Sequence, residues 1–167
     1  GRGVAGPPGF TIASGACNAY LAGDEEFPPG VLDEVRSELA SIEKLTGKTF
    51  GDASNPLLLS CRSGAKFSMP GMMDTVLNIG MNDDVMKGMI QIFSDRHFVL
   101  DSYRRLIQMF ATVVMGVREE PFEDVLAEAR AKRGVISASD LPDEDLERIV
   151  VPFKGLVERY AGREFPA

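Results

Sequence analysis

The apolar positions of the chain fall into two patterns. Val31, Leu32, Val35, Leu39, Ile42 and Leu45 recur at three- and four-residue spacing. This predicts an amphipathic helix opened by Pro28-Pro29-Gly30, stopped at Gly47, and packed on a core along that stripe. Leu57, Leu58 and Leu59 are instead contiguous, which is the pattern of a short buried strand. Ahead of both, residues 10–12 predict a short strand and residues 14–21 a helix with Ser14 as its cap. Beyond Arg62 the chain turns to small residues, and Pro70-Gly71 fits the central pair of a type II turn. Asp74 predicts a cap for a single helical turn ending at Gly80, and Asn82 a cap for the next helix.

From there the period is helical to the end. Residues 83–93, 95–117 and 122–133 predict three helices, the last stopped by Gly134. In the second of them Phe98, Val99, Tyr103, Leu106, Ile107, Phe110, Val113 and Val114 form the expected buried side. Leu146, Ile149, Val150, Phe153, Leu156, Val157 and Tyr160 share one face of a final helix, in which Pro152 predicts a kink or a late start. The contrast between the halves sets a boundary near residue 81. The expected fold class is α+β and helix-rich, with strand, loop and helix mixed over residues 1–81 and a helical subdomain over 82–167.

Composition narrows the classes of function. A chain of 167 residues suffices for one domain with a real core. Its formal charge of -7, with Lys and Arg interleaved among acids, argues against a nucleic-acid surface. No run approaches the roughly 18 apolar residues of a membrane span, and no signal-peptide pattern is expected. Cys17 and Cys61 stand among apolar or small residues, which predicts two reduced thiols in a cytosolic protein. His97 is the single histidine, so neither a structural zinc site nor a Ser-His-Asp triad is expected.

Candidate chemistry is sparse. GRGVAG at residues 1–6 fits G-x-G-x-x-G, but no strand precedes it and Pro7-Pro8 follows it. Gly47-Lys48-Thr49 lacks the first glycine of a P-loop, with Ile42 in its place. Arg62, at the end of a buried strand and before Ser63, Gly64 and Gly71, is one way to build an anion site. The other reading is an ordinary strand, turn and helix with a paired arginine. Arg105 follows Asp101 by four residues, as a helical ion pair would. Its neighbour Arg104 stands about 100° around the helix, so the two are expected not to share one direction. Lys66 could reach a ligand from the loop, and Met69, Met72 and Met73 suit either adaptable packing or a flap. Lys132-Arg133 before Gly134 suits a helix C-terminus.

The run CRSGAKFSMPGMMDTVLNIGMND, residues 61–83, closely resembles the signature VRSGA-x-x-SMPGMMDT-x-LN-x-G-x-ND of the pyruvate phosphate dikinase family. PPGFTI (7–12), ACNAY (16–20), LTGKTFGD (45–52), NPLLLS (55–60), DSYRR-x-IQMF (101–110) and EFP (164–166) are further matches, in the family's order. The resemblance implies part of the first ATP-grasp nucleotide-binding subdomain over residues 1–81, followed by a helical subdomain. It implies an enzyme interconverting ATP, phosphate and pyruvate with AMP, pyrophosphate and phosphoenolpyruvate through a swivelling phosphohistidine domain. Arg62 matches the family's catalytic, phosphate-contacting arginine, and Arg105 the second arginine of YRR at the nucleotide site. Ser63, Gly64 and Gly71 would belong to a lid over the phosphates, and Arg133 falls where the family carries lysine before a Gly-Val pair. ATP and Mg2+ are implied, with the metal ligands expected outside this chain. The polypeptide alone is expected not to catalyse the overall reaction. Full-length relatives are typically homodimers of the cytosol or of organelles. The alternatives are a non-catalytic helical interaction module and a related phosphoenolpyruvate synthase-type dikinase, the latter opposed by the SMPGMMDT run.

Overall fold

The computed structural model describes residues 6–23, 26–64 and 75–166. The chain divides into two compact units, Gly1–Thr49 and Phe50–Ala167. The first holds α1 (Ser14–Ala22) and α2 (Val31–Thr46). Ser14 is the first helical residue and not the cap, a position taken by Ala13 without a side-chain bond. Residues 10–12 form no strand, because an extended segment needs a ladder partner and none pairs with it among the described residues. Helix α2 ends where expected, at Gly47 in a left-handed conformation (φ 65°) whose N–H donates to the Glu43 carbonyl at 2.8 Å.

The stripe on α2 is less buried than its spacing predicts. Ile42 is buried, Val31, Val35 and Leu39 are half-buried, and Leu32 and Leu45 are exposed. Val31 and Val35 flank an open groove of about 460 Å³ shared with Phe10, Ile12 and Ala16, and Leu32 stands a further 100° around the helix from Val31.

The second unit begins in β1 (Thr49–Phe50), which pairs with β2 (Pro56–Leu57); β3 (Leu59–Arg62) pairs antiparallel with β4 (Thr75–Ile79). The run 57–59 is therefore divided between two strands, with Leu57 buried and Leu58 and Leu59 half-buried. Residues 75–79 are a strand and not the expected helical turn. Thr75, Val76 and Ile79 are β-branched, and β3 offers them a hydrogen-bonding edge. The cap assigned to Asp74 lies outside the described residues. Asn82 does cap α3 (Asp83–Ile92), its Oδ1 accepting the Val85 N–H at 2.9 Å.

The helical run after α3 comprises α4 (Arg96–Met109), α5 (Glu120–Arg133) and α6 (Asp143–Ala161). Asp95 caps α4 through the Phe98 N–H at 2.9 Å, and Gly134 closes α5 at φ 68°. Residues 95–117 are not one helix: α4 gives way to a π-turn over Phe110–Val114. The wider turn changes the phase of the stripe, leaving Val113 and Val114 exposed, and Phe98 is exposed in the first turn. Helix α6 runs unbroken through Pro152, so its start is not delayed, while Tyr160 at the end of the stripe is exposed.

Val85, Val99, Leu100, Ile107, Phe122, Leu146, Phe153 and Val157 make a continuous core, with the Phe122 and Phe153 rings edge to face at 5.0 Å. Burial of each large side chain stabilises the fold by about 1.5–3 kcal/mol.

Three helices meet at one carboxylate. Asp83 of α3 accepts the Tyr103 hydroxyl of α4 at 2.8 Å and Lys154 Nζ of α6 at 2.7 Å. Burial pushes the Asp83 carboxyl up, but the hydrogen bonds from Lys154 and Tyr103 outweigh it and hold the group below the ordinary aspartate range. Burial, aided by Asp83, also pushes the Tyr103 phenol up. A depressed carboxyl contributes stability that is present above its unfolded pKa and lost as pH falls through the folded one. Urea unfolding should therefore show stability declining as pH drops below the ordinary aspartate range, and Asp83→Asn should flatten that decline. An unchanged pH slope in the variant would refute the assignment.

Candidate functional site

The hairpin β3–β4 sets Arg62. Leu59 lies opposite Ile79, Cys61 opposite Val76, and Arg62 opposite Thr75. Between the first two pairs β3 spends one residue and β4 two, which is a bulge. Asn78 takes the left-handed conformation there (φ 61°), and asparagine tolerates it better than most residues. Gly80 follows at φ 104°, where a Cβ would meet the Phe50 ring at 2.8 Å and the Leu57 carbonyl at 2.9 Å.

Arg62 ends β3 exposed and, among the described residues, has no ion-pair partner. Ser63 and Gly64 follow it, both exposed; Lys66, Met69, Gly71, Met72 and Met73 lie outside the described residues. Cys61 and Cys17 are free and exposed.

Arg105 pairs with Asp101 as the spacing predicts, Nε to Oδ2 at 2.8 Å. The expectation that Arg104 and Arg105 cannot share a direction is corrected. Arg104 donates from Nε and Nη2 to Oδ1 of the same Asp101, at 3.0 and 2.7 Å. Residues three and four positions after a helical aspartate flank it on opposite sides, and both side chains are long enough to converge on it. Arg104 also gives Nη1 to Gln108 Oε1 at 3.1 Å, and Gln108 Nε2 donates to Glu123 Oε1 of α5 at 3.0 Å. Arg104, Arg105, Gln108, Glu123 and Arg130 line a groove of about 400 Å³, which does not include Arg62, Ser63, Gly64 or Arg133. Asp101, Arg104, Arg105 and Gln108 carry the signal of this network as polar residues at i, i+3, i+4 and i+7, whereas the pair rule alone points only to Asp101 and Arg105.

Arg133, in the last turn of α5, binds both carboxylate oxygens of Asp145 in the first turn of α6, through Nε and through Nη2. That bond holds the Asp145 carboxyl below its usual range and raises the Arg133 guanidinium, as expected where a helix C-terminus meets a helix N-terminus. His97 is a tie of the same kind. Its Nδ1 lies 3.0 Å from Asp143 Oδ1 and its Nε2 2.9 Å from the Ser139 carbonyl. Among the described residues no three or more His, Cys, Asp or Glu side chains could hold a metal ion, and no helix is long and apolar enough to cross a membrane.

No protein-family model matches the chain. Curated relatives do. A pyruvate, phosphate dikinase of Rhizobium meliloti (strain 1021) is 45% identical over 160 residues, covering 96% of this chain and 18% of the relative. The chloroplastic pyruvate, phosphate dikinase of Flaveria pringlei is 44% identical over 164 residues, and pyruvate, phosphate dikinase 1, chloroplastic, of Arabidopsis thaliana 42% over 165; they cover 98% and 99% of the chain. Each of these two is covered over 17% of its own length, so the chain spans less than a fifth of the curated relatives it matches. The hairpin with Arg62 and the helical unit with Arg105 thus fall together within one homologous stretch, and the chain belongs by sequence to the pyruvate, phosphate dikinases, corresponding to a single segment of them.

Proposed function

We propose that this chain supplies one wall of the nucleotide-phosphate site of a pyruvate, phosphate dikinase, as part of an ATP-grasp domain. On this reading residues 1–81 belong to the nucleotide-binding subdomain and 82–167 to the helical subdomain. The parent enzyme would convert ATP, phosphate and pyruvate to AMP, pyrophosphate and phosphoenolpyruvate, working through a swivelling phosphohistidine domain in a soluble compartment, as a homodimer.

The observation that carries the reading is Arg62. It is an exposed guanidinium at the end of a ladder, without an ion-pair partner among the described residues, inside a stretch shared with dikinases. A guanidinium offers paired N–H groups to two phosphate oxygens and keeps its charge while doing so. Arg62 would hold the transferring phosphoryl group, with Ser63, Gly64 and Gly71 as further nucleotide contacts. Arg105 would add a second contact. Arg133 could take part only by releasing Asp145. Mg2+, when bound, neutralises charge on the phosphates. Its ligands would be supplied from outside this chain.

Isothermal titration of ATP into the 167-residue chain and its Arg62→Ala variant tests the proposal. Loss of hydrogen bonds to a charged group should weaken binding about tenfold or more. Equal affinities, or no binding to either, would favour an interaction module.

A further inference from the structure

Asp101 is nearly buried in α4, yet its one carboxylate serves two arginines. Two guanidiniums against one carboxylate leave one positive charge over at Asp101 itself, while Glu119, Glu123 and Arg130 line the rest of the groove. Burial decides which arginine presents that charge. The Arg104 side chain is 6% exposed, with three nitrogens engaged by Asp101 and Gln108. The Arg105 side chain is 59% exposed and forms an ion pair with Asp101, its Nε 2.8 Å from Oδ2. Gln108 carries the network on to Glu123 of α5, so the carboxylate is braced from behind.

We propose that Asp101 is a positioning residue for Arg105, holding its Nε so that both Nη groups face the phosphates as a fixed fork, with buried Arg104 as the counter-charge. The inference rests on the reading of Arg105 as a nucleotide contact. The physical argument has two parts. A long side chain that is already held loses less freedom when a ligand arrives. A carboxylate beside a phosphate-binding arginine would also cancel its charge and repel the ligand; Arg104 removes that objection by taking up Oδ1.

A double-mutant cycle separates positioning from general support. Affinities for ATP and for inorganic tripolyphosphate are measured in the 167-residue chain, in Arg105→Gln, in Asp101→Asn and in the double variant. Arg105→Gln should weaken binding about tenfold or more. Asp101→Asn should cost a similar factor in the wild-type background and nothing further once Arg105 is gone. Additive losses would overturn the proposal, because a merely structural aspartate acts equally in both backgrounds. A loss from Arg105→Gln with none from Asp101→Asn overturns the positioning role and leaves the phosphate reading standing. A wild-type chain that binds neither probe, or an Arg105→Gln chain that binds as well as the wild type, sinks both.

Removing a partner from a buried ion pair can unfold a protein, so Arg105→Lys serves as the second variant. Lysine keeps the charge but cannot be held at Nε while offering a fork. Its affinity should lie near that of Arg105→Gln, with wild-type stability. Wild-type affinity in Arg105→Lys would show that the fork is irrelevant.

Discussion

Phe153→Ala should remove about 3–5 kcal/mol of stability, enough to unfold much of the population in a domain of ordinary marginal stability. Phe153 is fully buried in α6 and meets the equally buried Phe122 of α5 edge to face at 5.0 Å and 79°. Truncation removes the transfer free energy of the ring and an aromatic pair worth about 0.5–1.5 kcal/mol, and it leaves a cavity. Collapse is restricted because the helices around the site are tied to one another by polar contacts. Asp83 joins α3, α4 and α6, and Arg133–Asp145 joins α5 to α6. The control lies on the same helix: Tyr160→Ala, half-exposed at the end of the stripe, should change stability by no more than about 0.5 kcal/mol. Urea midpoints at constant m-value decide the comparison. If the two variants unfold together, the core has been placed on the wrong residues.

The second large effect reverses an ordinary sign. Gly→Ala inside a helix usually stabilises by about 0.5–1 kcal/mol. At Gly155 of α6 nothing lies within 4 Å of an added Cβ, and that gain is expected. At Gly88 of α3 the Cβ would stand 1.9 Å from the Ala53 carbonyl oxygen and 2.7 Å from its carbon. Those atoms are backbone, so no rotamer change relieves the clash; α3 or the turn near residue 53 must move. Gly88→Ala should therefore destabilise by about 1–3 kcal/mol or more. Opposite shifts in melting temperature for the two variants are the expected outcome, and a stabilised Gly88→Ala would mean that α3 and the turn do not touch.

Gly88 also marks a limit of sequence reading. An isolated glycine in a helical pattern announces some reason for its presence, but the contact with Ala53 cannot be read from residue 88 alone. What was legible was periodic or local. The helices of the second unit follow from three- and four-residue spacing, and Asn82, Gly47 and Gly134 punctuate the chain through their own chemistry. What was not legible depends on a partner. Residues 75–79 are a strand only because β3 lies beside them, and residues 10–12 are none because nothing pairs with them. The candidate site divides similarly. The motif around Arg62 was readable by resemblance. The sharing of Asp101 by two arginines arises from side-chain length and burial, which spacing constrains without determining.

The π-turn at Phe110–Val114 acts as a phase shifter. Its wider closure takes Val113 and Val114 out of the phase set by α4, and the helical path ends there. Leu106 and Ile107 ahead of it and Ala111 within it face the core, Phe110 packs edge to face on Phe165 at 5.7 Å, and Val117 is again buried beyond it. The return of Val117 to the core is made by Gly116, whose left-handed conformation (φ 68°) turns the chain just after the helical path has ended.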